Sequence, residues 1–315
     1  MTREVESELE RRLGRNYARQ RLGIEGDHET HVFRRHRHLF HIENWYSIHG
    51  LIRATLRLSG LYGRGRRNAE RVELRRNVVR SLLLPPPFDG FTILHLSDLH
   101  LDLNPGAMRK VAALLSGLAY DLCVLTGDYR GKTFGPIDET LAAMAELRRH
   151  IAAPAYGVLG NHDTIRLVPG FEAMGIRMLL NEHVALVRGD RHIHLAGIDD
   201  AHYFWVDNIE KAAAGIPHDE FSILLSHTPE VYRQAAHADF NLMLGGHTHG
   251  GQICLPGAIP ITLDANLPRR FGSGPWAYHR MAGYTSVGCG SSVVPVRFNC
   301  PPEITLHRLE RAAAQ

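Results

Sequence analysis

The chain has 315 residues, of which 44% are hydrophobic and 22% charged, and its formal net charge is +3. These are the proportions of an ordinary globular protein, long enough for one large α/β domain and an appendage. The charge is uneven: residues 1–90 carry 18 Arg and 11 Asp or Glu (+7), and residues 91–315 carry 18 Lys or Arg and 22 Asp or Glu (−4). A basic arm on a net acidic body, with no interleaving of aromatic and basic residues, argues against nucleic acid as a partner.

The opening stretch MTREVESELERRLGR is charged throughout and lacks the apolar centre of a signal peptide. No run approaches the roughly 18 apolar residues that a spanning helix needs. The four cysteines, Cys123, Cys254, Cys289 and Cys300, show no C-x-x-C spacing and sit in or beside apolar runs. Buried free thiols in a reducing compartment are expected, and with them a cytoplasmic location.

Residues 41–67, HIENWYSIHGLIRATLRLSGLYGRGRR, form the most informative part of the arm. On a helix, Glu43, Ser47, Gly50, Arg53 and Arg57 make a narrow polar strip, and apolar residues such as Trp45, Ile48, Leu51 and Leu56 fill the rest. So broad an apolar arc requires burial. Docking on protein is one expectation. The other is peripheral contact with the inner face of a membrane, with Arg53, Arg57, Arg64, Arg66 and Arg67 meeting anionic headgroups. The triple proline in LLLPPPFDG (82–90) forbids a continuing helix. It divides the chain into a helical arm, 1–84, and a catalytic domain, 85–315.

Beyond the prolines, strand-like and helix-like runs alternate: strands at 91–97, 121–127 and 155–160, helices at 106–119 and 137–151. More strands follow around RMLLN, HVALVRG and RHIHLAGI, then at 221–227 and 240–246 with a short helix between them. WAYHRMAGYTSVG and PEITLHRLE close the chain as strands. The expected architecture is α/β: two sheets face to face with helices outside, an αββα sandwich.

Five of these strands end in side chains able to bind metal. They are Asp98 and His100 in HLSDLHLD, Asp128 in LTGDYRG, Asn161, His162 and Asp163 in LGNHDT, His227 in LLSHTPE, and His247 and His249 in GGHTHGG. The last pair means little alone. With 21 histidines an H-x-H pair arises by chance, and it recurs at His36/His38 and His192/His194. The joint pattern carries the weight, because sites in α/β sheets assemble at the carboxyl ends of strands. In an extended segment residues i and i+2 share a face, which would aim Asp98 with His100, and His247 with His249, at one place. Glycines at 127, 160, 245, 246, 250 and 251 would let backbone pass close to a crowded centre. Mixed carboxylate and imidazole donors suit Mn, Fe or Zn better than Ca or Mg.

The ordered set D-x-H, G-D, G-N-H-D, a single His and G-H-x-H resembles the calcineurin-like metallophosphoesterases over about residues 88–310. GHTHGGQICLPG and VPVRFNCPPEITLHRL further resemble a bacterial subgroup linked to envelope and lipid-type phosphodiesters. The resemblance implies two divalent cations, with manganese first and iron or zinc as alternatives. Asp98, His100, Asp128 and His249 would hold one, and Asp128, Asn161, His227 and His247 the other. A hydroxide shared by the ions would attack phosphorus in line with the leaving oxygen. His162 would protonate that oxygen, and Asp163 would orient the His162 ring.

Arg130, Asp199 and His202 are candidate substrate contacts, with loop solvation as the plainer alternative for each. The implied activity is hydrolysis of a phosphodiester or pyrophosphate in a lipid-linked or nucleotide-sugar-lipid substrate, UDP-2,3-diacylglucosamine being one version. The alternatives are a cyclic or general nucleotide phosphodiesterase and a non-catalytic, protein-binding scaffold that has lost its metal. The full set of expected ligands separates this chain from the scaffold.

Overall fold

The structure is a computed structural model that describes residues 3–35, 44–292 and 294–313. The His36/His38 pair lies outside them, and the side chains of residues 31–35 and 44–49 are likewise not described. The N-terminal part holds four helices: α1 Arg3–Leu13, α2 Arg15–Arg35, α3 Asn44–Leu58 and α4 Tyr62–Asn68. The body begins with β1 Glu73–Ser81, β2 Thr92–Leu96, α5 Pro105–Leu115, β3 Leu122–Thr126, α6 Asp138–Arg148 and β4 Ala155–Val158. Then come α7 Val168–Ala173, β5 Ile176–Met178, β6 Glu182–Arg188, β7 Arg191–Gly197, α8 Ile209–Ala213 and β8 Ser222–Leu225. The last elements are α9 Tyr232–His237, β9 Leu242–Gly245, β10 Cys254–Leu255, β11 Ile259–Pro260, β12 Gly274–Tyr278, β13 Met281–Thr285 and β14 Glu303–Arg311.

Two six-stranded sheets result among the described residues, ordered β1-β14-β2-β3-β4-β5 and β12-β13-β9-β8-β7-β6. Alternation along each strand sorts side chains between layers. Ile93 and Val124 of the first sheet meet Ile193, Ile223, Leu225 and Leu244 of the second. Their neighbours Leu94, Leu96, Cys123 and Leu125 face outward against α5 and α6 through Val111, Leu115, Met144 and Leu147. Leu224 and Met243 face the other way, against Tyr232 and Ala235 of α9. The αββα sandwich is therefore present. Asn104 caps α5 by accepting a hydrogen bond from Ala107 N–H at 3.2 Å, with Pro105 in the first turn.

The sheet does not begin at the proline run. β1 lies upstream of it and pairs in parallel with β14, Glu73 opposite Glu303 through Ser81 opposite Arg311. Its sequence, ELRRNVVRS, is too polar to read as a buried strand because it is a sheet edge, where charge is tolerated and discourages further pairing. Nor is the start of the arm separate: Leu9 of α1 and Ala18 of α2 are buried in the layer outside the first sheet. By contrast α3 packs against α4, and Leu51 and Leu58 are 67% and 90% exposed. Among the described residues no helix is long and apolar enough to cross a membrane. The four cysteines are free and buried, as expected.

Candidate metal centre

Strands β2, β3, β4, β8 and β9 end at one place, and the loops that follow bring the predicted side chains together. Asp98, His100, Asp128, His227, His247 and His249 are all buried. One Asp128 oxygen, Oδ2, lies 3.8 Å from His100 Nε2 and 3.3 Å from His227 Nε2. On the first side, His249 Nε2 is 3.1 Å from His100 Nε2 and 3.5 Å from Asp98 Oδ1. On the second, Asn161 Oδ1 is 2.9 Å from both His227 Nε2 and His247 Nδ1. Two groups of donors thus meet at a shared aspartate.

Strand alternation is not what aligns them. Asp98, His100, Asp128, His247 and His249 all have positive φ, between 40° and 72°. That left-handed conformation is costly for residues with a Cβ and is characteristic of functional sites held by their surroundings. Sharp turns, not extended segments, aim both D-x-H and H-x-H inward. Glycine clears the space. A Cβ on Gly246 would overlap Ser97 Oγ and Asp98 Oδ2, and one on Gly127 would lie 2.6 Å from Gly160 N. Gly250 and Gly251 instead pass beside Val287 and Pro260, away from the donors.

The rings are held by their outer nitrogens. His227 Nδ1–H donates to Thr126 O at 2.7 Å and His100 Nδ1–H to Arg130 O at 2.9 Å, so both present Nε2 to the centre. Arg297, fully buried, donates to the carbonyls of Val287 and Gly290 and directs one N–H at His249 Nδ1, 3.2 Å away. Sequence reading passed over Arg297, although it lies inside VPVRFNC.

Asp98 closes a one-way chain of hydrogen bonds. Asn77 Nδ2 donates to His307 Nδ1 (3.0 Å), His307 Nε2 to His95 Nδ1 (3.3 Å), and His95 Nε2 to Thr126 Oγ1 (2.8 Å). Thr126 then donates to Ser97 Oγ (2.7 Å) and Ser97 to Asp98 Oδ2 (2.6 Å). A carboxylate accepts only, and Asn77 supplies an N–H, so the chain is consistent when every donor points towards Asp98. Neither His95 nor His307 was a predicted residue; buried mid-strand histidines look like core in a sequence.

The electrostatics fit cations. Burial pushes Asp98 up to about 6 despite the pull of His227, with Asp128 adding repulsion. Burial also lowers His100 to about 4 and holds His247 and His249 well below the usual histidine range. Burial opposes a proton on His227 too, but the charge and hydrogen bond of Asp128 raise it to about 10. His247 Nε2 is buried with no hydrogen-bond partner. Two facing carboxylates and three imidazoles held neutral suit divalent ions, and a cation would take the place of the proton that Asp128 holds on His227.

The remaining predictions fare differently. His162 is half-buried, its ring 5.6 Å from that of His100. Its backbone N–H donates to Asp128 Oδ1 at 3.0 Å. Its ring contact is Thr133 Oγ1, 2.9 Å from Nδ1. Asp163 does not orient that ring: both its oxygens are taken by the backbone N–H groups of Asp128, Tyr129 and Gly160, at 2.7–3.0 Å. Arg130 is spent on the carbonyls of His162, Thr133 and Gly135, and does not offer its guanidinium to a phosphate. Asp199 is taken by Tyr17 and Arg21 of α2. His202 does reach the centre, its ring 4.1 Å from that of His247 and its Nδ1 2.7 Å from Glu230 Oε2.

Residues 91–251, which contain all seven candidate metal-binding residues from Asp98 to His249, match the calcineurin-like phosphoesterase family. The chain belongs to that family. It is a hydrolase of phosphoesters, in a family that uses divalent metal ions. An uncharacterized metallophosphoesterase of Bacillus subtilis, YkoQ, is 30% identical over 237 residues, covering 71% of this chain and 85% of that protein. Phosphodiesterase YaeI of Escherichia coli is 28% identical over 238 residues, 70% of this chain and 82% of its own. A zebrafish (Danio rerio) transmembrane protein with a metallophosphoesterase domain is 30% identical across 73% of this chain, which spans only 55% of that longer protein.

Proposed function

We propose that this phosphoesterase cleaves a phosphodiester or pyrophosphate bond in a lipid-linked substrate at the shared-aspartate centre. Asp98, His100, Asp128 and His249 would hold one divalent cation, and Asp128, Asn161, His227 and His247 a second. Manganese is the first candidate; iron and zinc suit the same donors. The observation that carries this reading is Asp128 Oδ2 facing His100 Nε2 and His227 Nε2 from between them. Bound there, two cations neutralise phosphoryl oxygens and make water acidic enough to react near neutral pH.

The chain's own residues supply the rest. His162 stands at the rim, where a ring can meet a departing oxygen. With Thr133 donating to Nδ1, the transferable proton sits on Nε2. Arg130 contributes indirectly, by fixing the His162 carbonyl. His202, held by Glu230 beside His247, is the remaining side chain of the candidate substrate set with access to the reacting group.

A lipid-linked substrate accounts for exposed apolar residues that follow site residues closely in the chain. Trp205, three residues beyond His202, is 74% exposed. Leu255 and Ile259 protrude from the β10–β11 hairpin that follows His249. Leu51 and Leu58 of α3, within the arm segment 41–67, add a second apolar face for a membrane surface. The name of the Escherichia coli relative, a phosphodiesterase, agrees with a diester. The test is a panel of lipid-linked pyrophosphates, cyclic nucleotides and simple diesters with manganese. The lipid-linked class is expected to give the highest kcat/KM. Faster turnover of a cyclic nucleotide sinks the lipid assignment, and no turnover with any divalent ion supports a scaffold. Flotation with anionic liposomes checks the membrane contact: a chain left at the bottom of the gradient rules it out.

A further inference from the structure

The second H-x-H pair, His192 and His194, is not a chance pairing of surface residues in the fold. Both lie on β7, and alternation puts them on one face while Ile193 and Leu195 enter the inter-sheet core. β7 pairs in parallel with β8, His194 opposite Ser222. Two residues before Ser222, Glu220 comes alongside. Its Oε2 accepts from both rings, 2.8 Å from His192 Nε2 and 2.6 Å from His194 Nε2. Two imidazole nitrogens and a carboxylate oxygen therefore converge within 4.8 Å of one another.

We propose that His192, His194 and Glu220 form a second metal site, separate from the catalytic centre, for a divalent transition cation of the zinc or nickel type. Two nitrogens and one oxygen are a borderline donor set that favours such ions over magnesium or calcium. The site has one closed and one open side: His194 is 8% exposed, Glu220 33% and His192 42%. The open side leaves room for water to complete the coordination. His194 Nδ1 is buried without a partner, so the ring depends on its Nε2 contact alone. The His183 ring lies edge-on to His194, 5.7 Å away, anchored by Nδ1–H donation to Ala212 O at 3.0 Å. It closes the flank towards α8.

This cluster sits at the start of β7, whereas the catalytic centre lies beyond its end. The five residues from His194 to Asp199 correspond to roughly 16 Å of extended chain. The ion would join β7 to the segment entering β8 and strengthen the sheet without taking part in phosphoester cleavage.

The test uses the full chain, stripped with chelator and titrated with zinc by calorimetry. The wild type is expected to bind one more equivalent than His192→Ala/His194→Ala, and Glu220→Gln is expected to weaken that extra site at least tenfold or so. Manganese-supported turnover should be unchanged in these variants, which also shows that they fold. If the double variant does not fold, the exposed single variant His192→Gln carries the measurement. Zinc should also raise the melting temperature of an Asp128→Asn chain, and lose that effect when His192→Gln is added. Equal zinc stoichiometry in wild type and folded variants overturns the site.

Discussion

Arg21 of α2 and Asp199, beyond the end of β7, form an ion pair of 3.0 Å in which neither side chain touches solvent. The same guanidinium donates to Asp163 O at 3.2 Å and pairs with Glu25 at 2.8 Å. Glu25 in turn accepts from Ile165 N–H and Thr164 Oγ1–H. Helix α2 thus holds the segment directly after Asn161 and His162. Breaking a buried pair from one side strands a charge and costs about 3–5 kcal/mol. Arg21→Met is expected to lower stability by that order and to lower kcat more than it raises KM. Urea denaturation and steady-state kinetics measure both. An unchanged unfolding midpoint would show that the helix is not structurally engaged.

Ser97→Ala removes the hydroxyl that ends the donor chain at Asp98 without touching a candidate ligand. Outer partners of metal ligands are worth about 10–100-fold in metal affinity or activity. The manganese concentration for half-maximal activity should rise by that factor. Thr126→Val, one step back, should give a smaller shift in the same direction. No shift in either variant would mean that the chain of donors does not tune Asp98.

His95 and His307 are buried, and burial lowers His95 to about 3 and His307 well below the usual range. A folded value below the unfolded one means that the unfolded chain takes up more protons. Stability is therefore complete above about 6.5 and is lost as pH falls towards 3, by up to about 1.4 kcal/mol per pH unit for each ring. Unfolding measured between pH 7 and 4, with chelator present to remove metal effects, should show this slope. His307→Leu should lose that ring's share of the slope, up to about 1.4 kcal/mol per pH unit. Equal slopes in the wild type and His307→Leu would contradict a neutral buried His307.

Gly246→Ala should abolish metal binding, because the added methyl meets Ser97 and Asp98. Gly215→Ala, at a φ of 88° but with nothing within 4 Å of the new atom, should cost only about 1 kcal/mol or little more and leave turnover intact. Metal content after dialysis distinguishes them. A Gly246→Ala chain retaining full metal content would remove the steric account of the centre.

His162→Asn should lower kcat by about 10²–10⁴ for a substrate with a poor leaving group. It should do far less to a nitrophenyl ester, whose phenolate leaves without a proton. Metal content should stay unchanged. An equal loss on both substrates would point away from proton donation.

Much of this was legible in the sequence, for identifiable reasons. Runs such as TILHL and LCVLT are apolar because both faces of a central strand are covered, so they stand out. D-x-H, G-D, G-N-H-D and G-H-x-H stand out because donor chemistry must sit at strand ends. β1 escaped notice because an edge strand keeps its arginines in water. Arg130, Asp163 and Asp199 have the right chemistry and the right neighbourhood, yet each is consumed by hydrogen bonds within the protein, Asp199 by Tyr17 and Arg21 of the distant α2. Sequence shows a charged group but not what has already neutralised it.

Residue order alone determined the layer pattern and the inventory of donors, since burial periodicity and side-chain chemistry are local properties. Resemblance implied that Asp128 is shared, but only the tertiary structure decided its distances to the two donor groups, that α2 grips the loop after His162, and that His192 and His194 meet Glu220. Those depend on distances between segments up to about 180 residues apart, set by sheet order and by left-handed turns that no local pattern announces.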